Sequence, residues 1–349
     1  MFYFVAQPAA IHVAVLKKNR SKLGSILKRG LIGGLIALFL VEVLLRLFGY
    51  STYNVHRERP IEIHGKKAVV SDPILGYRNA SGIFDFKYPS GRKFTVRHDD
   101  FGARNPNFMT DPDISFYGCS FTYGYGVNDT ETYPYFVGEL SGKKVRNAGC
   151  NGYGLTQAYL KMREDFENGI VPAITVISYA SFLDERTRCT PSWQQELFAN
   201  GILSINKNVR IPYVSKTKGA IRIQYIKPER QLSKMAEYSS LWYRVEKLFL
   251  KNNSEEENRN VAVYVLEAFQ KLCKKHDSQL VVVGLIDDES TKYVLKKAKK
   301  KGMQTCQFKV DITKNQYNLL PDDGHPSPKA YKLFARTLLL HLEFQMDDY

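Results

Sequence analysis

The chain has 349 residues, 44% of them apolar and 13% aromatic, enough for one large domain with additions around a buried core. Its five cysteines show no C-x-x-C spacing, which speaks against a zinc site or a disulfide framework, so no metal or cofactor is expected. The net charge is +15, yet no nucleic-acid-binding motif accompanies it, and nucleic acid is not an expected partner.

Residues 1–50 hold seven Lys/Arg against Glu42, so +6 of the charge belongs there and +9 to the remainder. Leu31–Val41 is wholly apolar, and the run resumes from Val43 to Phe48 around Glu42 and Arg46. A bilayer span needs about 20 mostly apolar residues. Glu42 and Arg46, four apart, can pair on one helix face near the interface. No small-x-small cleavage site follows, which favours an uncleaved anchor over a signal peptide. Six basic residues and no acid precede the span, which places the N-terminus in the cytoplasm and the bulk of the chain outside it. The expected organisation is a basic tail at 1–26, a transmembrane anchor at 27–49, and a stalk with a small β-rich lead-in at 50–112. The remainder, 113–345, forms the main domain.

From residue 113 short apolar runs alternate with amphipathic segments. Strands are predicted at 113–118, 144–148, 173–179, 279–286 and 304–310. Helices are predicted at about 132–140, 155–168, 256–275, 290–301 and 328–344. Such alternation means a parallel sheet covered by helices on both faces. Residues 187–250 interrupt the rhythm with Trp193, Trp242, several Tyr and two β pieces at 211–215 and 220–226. This insertion is equally suited to a substrate wall and to a packing appendage. Lys296–Lys301 close a helix, where cations complement the helix dipole.

The first strand runs into Gly118-Cys119-Ser120, a flexible turn followed by a hydroxyl at the carboxyl end of a strand, where open α/β sheets bind ligands. Asp322-Asp323-Gly324-His325 places carboxylates and an imidazole just ahead of a helix, with Ser327 as its cap and Pro328 at its first position. Ser120, His325 and Asp322 read as a catalytic triad, with Asp323 serving the turn. Neither a dinucleotide-binding loop nor a Gly-x-Ser-x-Gly elbow fits the glycine spacing, because Thr122 stands where the elbow needs Gly. Cys119 and Cys150 read as small buried hydrophobes.

Gly118-Cys119-Ser120-Phe121-Thr122-Tyr123-Gly124 resembles the first block of the SGNH (GDSL-type) hydrolases, with Cys in place of the name-giving Asp. Asn147-Ala148-Gly149-Cys150-Asn151-Gly152 is similar to their second block, and Asp322-x-x-His325 to the last. The resemblance spans about residues 110–340. It implies a three-layer α/β/α sandwich with a flavodoxin-like parallel sheet, and an oxyanion hole from the N–H groups of Ser120 and Gly152. The family's third block offers an Asn; here the aligned place falls near Leu183, which cannot donate. The resemblance implies an esterase or deacetylase acting on an acylated small molecule or extracytoplasmic glycan. An O-acyltransferase and a non-catalytic glycan-binding protein are the alternatives.

Overall fold

The computed structural model describes residues 9–53, 60–63, 67–104, 111–199, 202–215, 221–250 and 254–343. The first eight residues of the basic tail and the end of the main domain at 344–345 lie outside them. The chain forms two compact units, Met1–Val55 with Leu232–Phe249, and His56–Gln231 with Leu250–Tyr349.

In the larger unit five parallel strands form the central sheet: Ile114–Tyr117, Val145–Asn147, Ile174–Tyr179, Gln279–Gly284 and Gln304–Gln307. Taken in chain order they lie 2-1-3-4-5 across the sheet, the expected flavodoxin-like arrangement. The third strand is the hinge of the register, with Ile174 opposite both Ile114 and Gln279. Phe116, Tyr117, Val176, Ile177, Val281, Val282 and Val283 have no exposed surface, as a sheet covered on both faces requires. Helices Tyr133–Ser141 and Pro328–His341 pack together. Leu155–Glu167 and Glu289–Lys300 both pack on the long helix Glu255–Lys275. Ser327 caps the last helix and Pro328 opens it, as its sequence signature indicates.

The lead-in is knit into this unit. Val69–Asp72 and Gly76–Asn79 form a hairpin, and Ile61–Glu62, Gly82–Lys87 and Lys93–His98 form a three-stranded antiparallel sheet. Arg104 bridges His98 on one side and Asn147 on the other, so this β layer continues onto the edge of the parallel sheet. Within the insertion, Ile211–Ser215 and Arg222–Ile226 pair antiparallel.

The smaller unit is built on a helix, Ala9–Leu47, whose 23 residues Ser25–Leu47 are apolar and long enough to cross a membrane. Residues 232–249, which by sequence belong to the insertion, group with it. The contact is polar. Glu42 accepts hydrogen bonds from Ser239 Oγ and from the backbone N–H groups of Ser240 and Leu241, each at 2.9 Å. These donors open the helix Ser240–Phe249, so a carboxylate from the apolar helix occupies its N-terminus. Arg46 pairs with Glu42 at 2.7 Å, the expected i,i+4 contact, and also donates to the Tyr238 carbonyl.

One buried acid yields a pH-dependent prediction. Asp184 is 6% exposed and accepts from the Tyr179 hydroxyl at 2.9 Å. Burial pushes its pKa up to about 7, with Asp288 adding to the effect. Between ~3.9, the ordinary aspartate value, and about 7 the folded state therefore holds a proton that the unfolded chain has lost. Stability falls as pH rises through that window and levels off above it. Asp184→Asn should be close to wild type at pH 4 and more stable by roughly 2–4 kcal/mol at pH 8. Thermal melts of both proteins across pH 4–8 measure this, and a constant difference in Tm would refute it.

Candidate active site

Ser120 is the first residue of the short helix Ser120–Tyr123, directly after the first strand and at its carboxyl end. The approach is tight. A Cβ on Gly118 would stand 2.3 Å from Thr122 Oγ1 and 2.9 Å from Ser178 Cβ, so only glycine admits the turn. Thr122 donates to Ser178 at 2.7 Å, tying this helix to the third strand. Asn147, ending the second strand, donates to the Thr122 carbonyl at 2.8 Å and accepts from the Gly149 N–H at 3.1 Å. Gly149 is packed so closely on this helix that a Cβ there would lie 2.5 Å from Tyr123 N.

Gly152 has φ +79°, a left-handed conformation that favours glycine, and a Cβ there would stand 2.6 Å from the Tyr77 hydroxyl. Tyr77 in turn donates to the Asn151 carbonyl at 3.1 Å, so the lead-in hairpin sets this loop. Neither the Ser120 N–H nor the Gly152 N–H donates a hydrogen bond to any of the described residues. Leu183 is buried in the main core at the start of the helix Leu183–Arg188 and offers no donor.

The imidazole of His325 is bound through Nδ1 to Asp323, not to Asp322. Asp323 also accepts from the His325 backbone N–H at 2.9 Å and from the Tyr88 hydroxyl at 3.2 Å. Asp322 is turned away to Arg92, 2.9 Å distant. This corrects the Asp-x-x-His reading, and the reason is strand geometry. Asp323–Pro326 is a short strand paired with Asn318–Leu319, and in a strand residues two apart share a face. Burial opposes ionisation of Asp323, but the His325 imidazole and N–H outweigh it and hold the carboxyl below its ordinary value. Its contribution to stability is present above the unfolded-state pKa, ~3.9, and lost as pH falls below it.

His325 Nε2 makes no hydrogen bond among the described residues, and none joins it to the Ser120 hydroxyl. The two elements meet through rings instead, with Phe121 5.5 Å and Tyr125 5.0 Å from the imidazole, centroid to centroid. Ser120 itself is 2% exposed. Cys119 is no rival nucleophile. Burial pushes its thiol up, and all five cysteines are buried and free, as small buried hydrophobes.

Tyr88 and Arg92 flank the turn between Gly82–Lys87 and Lys93–His98, far from any block of the resemblance, and sequence reasoning missed both. It also passed over Arg186 and Phe182, and named Trp193, which stacks on the same guanidinium, only as part of the insertion. A cation one turn beyond the aligned third-block position was the available signal.

No family model matches the chain, and no curated protein matches it. Solved structures do resemble it. A GDSL-like lipase from Bacteroides thetaiotaomicron shares 15% identity at a TM-score of 0.36, over 66% of this chain and 87% of that one. A member of the lipolytic protein G-D-S-L family from Veillonella parvula shares 10% at 0.37, over 65% and 96%. An acetyl xylan esterase from Butyrivibrio proteoclasticus shares 12% at 0.38, over 69% and 66%. At such identities the chemistry rests on the residues described above.

The exchange of Asp322 for Asp323 is directly measurable. A proton held between Nδ1 and a carboxylate gives a strongly downfield imidazole resonance. That signal should persist in Asp322→Asn and vanish in Asp323→Asn. Loss in the Asp322 variant alone would restore the spacing-based assignment.

Proposed function

We propose that this chain is a membrane-anchored serine hydrolase that cleaves an O-acyl ester of a small molecule or surface glycan through a Ser120 acyl-enzyme. What supports the reading is that, among the described residues, the N–H groups of Ser120 and Gly152 have no acceptor and the Asp323–His325 pair leaves Nε2 without a partner, while Phe121, next to Ser120, packs 5.5 Å from the imidazole. A serine hydroxyl is a weak nucleophile at neutral pH and needs a base as it attacks. His325 Nε2 would take the Ser120 proton while Oγ bonds to the ester carbon. The same proton passes to the departing alkoxide as the C–O bond breaks. Water then repeats the sequence on the acyl-enzyme and releases the acid. Asp323 holds the imidazole in the tautomer with its proton on Nδ1 and stabilises the cation that forms. The carbonyl oxygen gathers charge in both steps, and the free N–H groups of Ser120 and Gly152 are the donors for it, each worth ~10²–10³ in rate.

Retention of the N-terminal helix as an anchor is supported by Glu42. Cleaving that helix away would orphan Ser239 Oγ and the N–H groups of Ser240 and Leu241 together. With six basic residues ahead of the apolar run that starts at Leu31, the larger unit lies on the extracytoplasmic side.

Two measurements test these readings. Detergent-solubilised full chain offered p-nitrophenyl acetate should turn over and be labelled at Ser120 by a fluorophosphonate. Ser120→Ala and His325→Ala should each lower kcat by ~10³ or more, and the double variant should be little worse, because the groups act as a unit. A folded protein inert to both reagents would exclude the hydrolase. For the anchor, the intact mass of membrane-extracted protein should include residues 1–50. A mature form starting after Tyr50 would overturn it.

A further inference from the structure

Arg186 stands near the candidate site, stacked on aromatic rings and, among the described residues, without a carboxylate partner. Its guanidinium carbon lies 4.8 Å from the Phe182 ring and 4.6 Å from the Trp193 ring. Its Nη1 is buried without an acceptor, and no carboxylate lies within ion-pair range of it among the described residues. The indole N–H of Trp193, a residue 8% exposed, is likewise buried without an acceptor. Arg92 Nη2 and Arg188 Nη1 are also buried without a hydrogen bond, but these arginines have carboxylate partners. Arg78 holds Asp72 and Glu164, Arg92 holds Asp322, Arg104 holds Asp129, and Arg188, two residues on, holds Glu257 at 3.1 Å.

The position of this pair is set on several sides. Phe182 packs 5.4 Å from Phe121, the residue after Ser120, and Phe121 reaches His325. Trp193 comes within 3.6 Å of where a Gly152 Cβ would project. The backbone of Arg186 is pressed on Gly154 so closely that a Cβ there would stand 2.6 Å from its carbonyl carbon. The cation therefore lies between the Phe182–Phe121 contact and the Gly152 loop, and its field reaches both Cys119 and Tyr77.

Donors buried without acceptors are costly, and more so on a charged group. Stacking on aromatic faces holds the guanidinium in place without occupying its hydrogens. A fork so held matches the oxygens of a carboxylate or phosphate. We propose that Arg186 and Trp193 form an anion subsite beside Ser120, and that the substrate carries an acidic group, carboxylate or phosphate, next to its ester. The ester half of this statement rests on the hydrolase reading; the anion half does not.

The test separates the two. Trp193 and Trp242 are the only tryptophans, so full-length Trp242→Phe makes Trp193 the sole reporter. Titration with glucuronate, glucose 6-phosphate and glucose should give a saturable change in emission with an acidic sugar and none with glucose. The acidic sugar that saturates at lower concentration identifies the group. Arg186→Met should weaken that binding at least 10-fold, and Arg186→Lys, which keeps the charge, should weaken it less. Equal responses to acidic and neutral sugars, no response to either, or an unchanged Arg186→Met variant would overturn the subsite whether or not any ester is cleaved. Where ester turnover is measurable, Arg186→Met should lower the kcat/KM preference for p-nitrophenyl hemisuccinate over p-nitrophenyl acetate at least 10-fold, through KM. An equal loss of kcat on both esters would make Arg186 an oxyanion donor instead and also refute the proposal.

Discussion

Arg104 is the contact on which the geometry of the site depends. Its buried guanidinium donates to the carbonyls of Tyr123, Gly124 and Val127 and pairs with Asp129 at 2.7 Å. The short helix that begins at Ser120 ends at Gly124 in a left-handed cap, which leaves these carbonyls pointing into the protein. One planar group satisfies them together. Because Arg104 also bridges His98 and Asn147 in the β ladder, the lead-in, the edge strand and the turn after Ser120 are fixed as one piece. Breaking such a buried, multiply bonded cation typically costs about 3–5 kcal/mol. The consequence would be functional as much as structural, since Ser120 is aimed by that helix.

The same dependence explains what the sequence revealed and what it concealed. Each of the five strands and the five helices predicted with them was legible, because parallel strands buried on both faces leave unbroken apolar runs such as Leu280–Val283, whereas the helices at Leu183–Arg188 and Ser240–Phe249 were not. Gly118 was legible because a glycine straight after a strand marks a turn, and Gly152 through the resemblance of its block. Asp323 was not. Choosing between adjacent aspartates requires knowing that 323–326 is a strand, and a four-residue piece containing two turn-forming residues carries no periodicity to show it. Tyr88 and Arg92 were concealed for another reason. They sit some 230 residues away in sequence, on a hairpin whose alternation announces a β layer but not what it faces.

Glu42 shows how a local reading can be right in its facts and incomplete in its meaning. The i,i+4 pairing with Arg46 was legible from spacing and is present. Spacing could not show that the same carboxylate also closes the N-terminus of a helix nearly two hundred residues later. An acid in an apolar helix is tolerated where its oxygens are filled, and here cation and backbone donors fill them. Residues 232–249 are thereby held to the apolar helix by hydrogen bonds as well as by packing. That accounts for their leaving the insertion's β pieces to join the smaller unit.

Around the site, burial has sorted the titratable groups by what compensates them. His98, enclosed between the Ala80 carbonyl and the Tyr123 hydroxyl, is pushed down to about 4 by burial and stays neutral. The buried thiols rise, Cys150 to about 12, and stay protonated. Asp323 alone among the groups touching His325 is held in its charged form, because the imidazole and a backbone N–H converge on it. Among the described residues Asp323 thus stands as an anion against the His325 imidazole, and Arg186 as a cation against aromatic rings that cannot neutralise it. A neutral substrate would leave that cation without a counter-charge. An acidic one would complete the electrostatics of a wall that the fold has built but not filled.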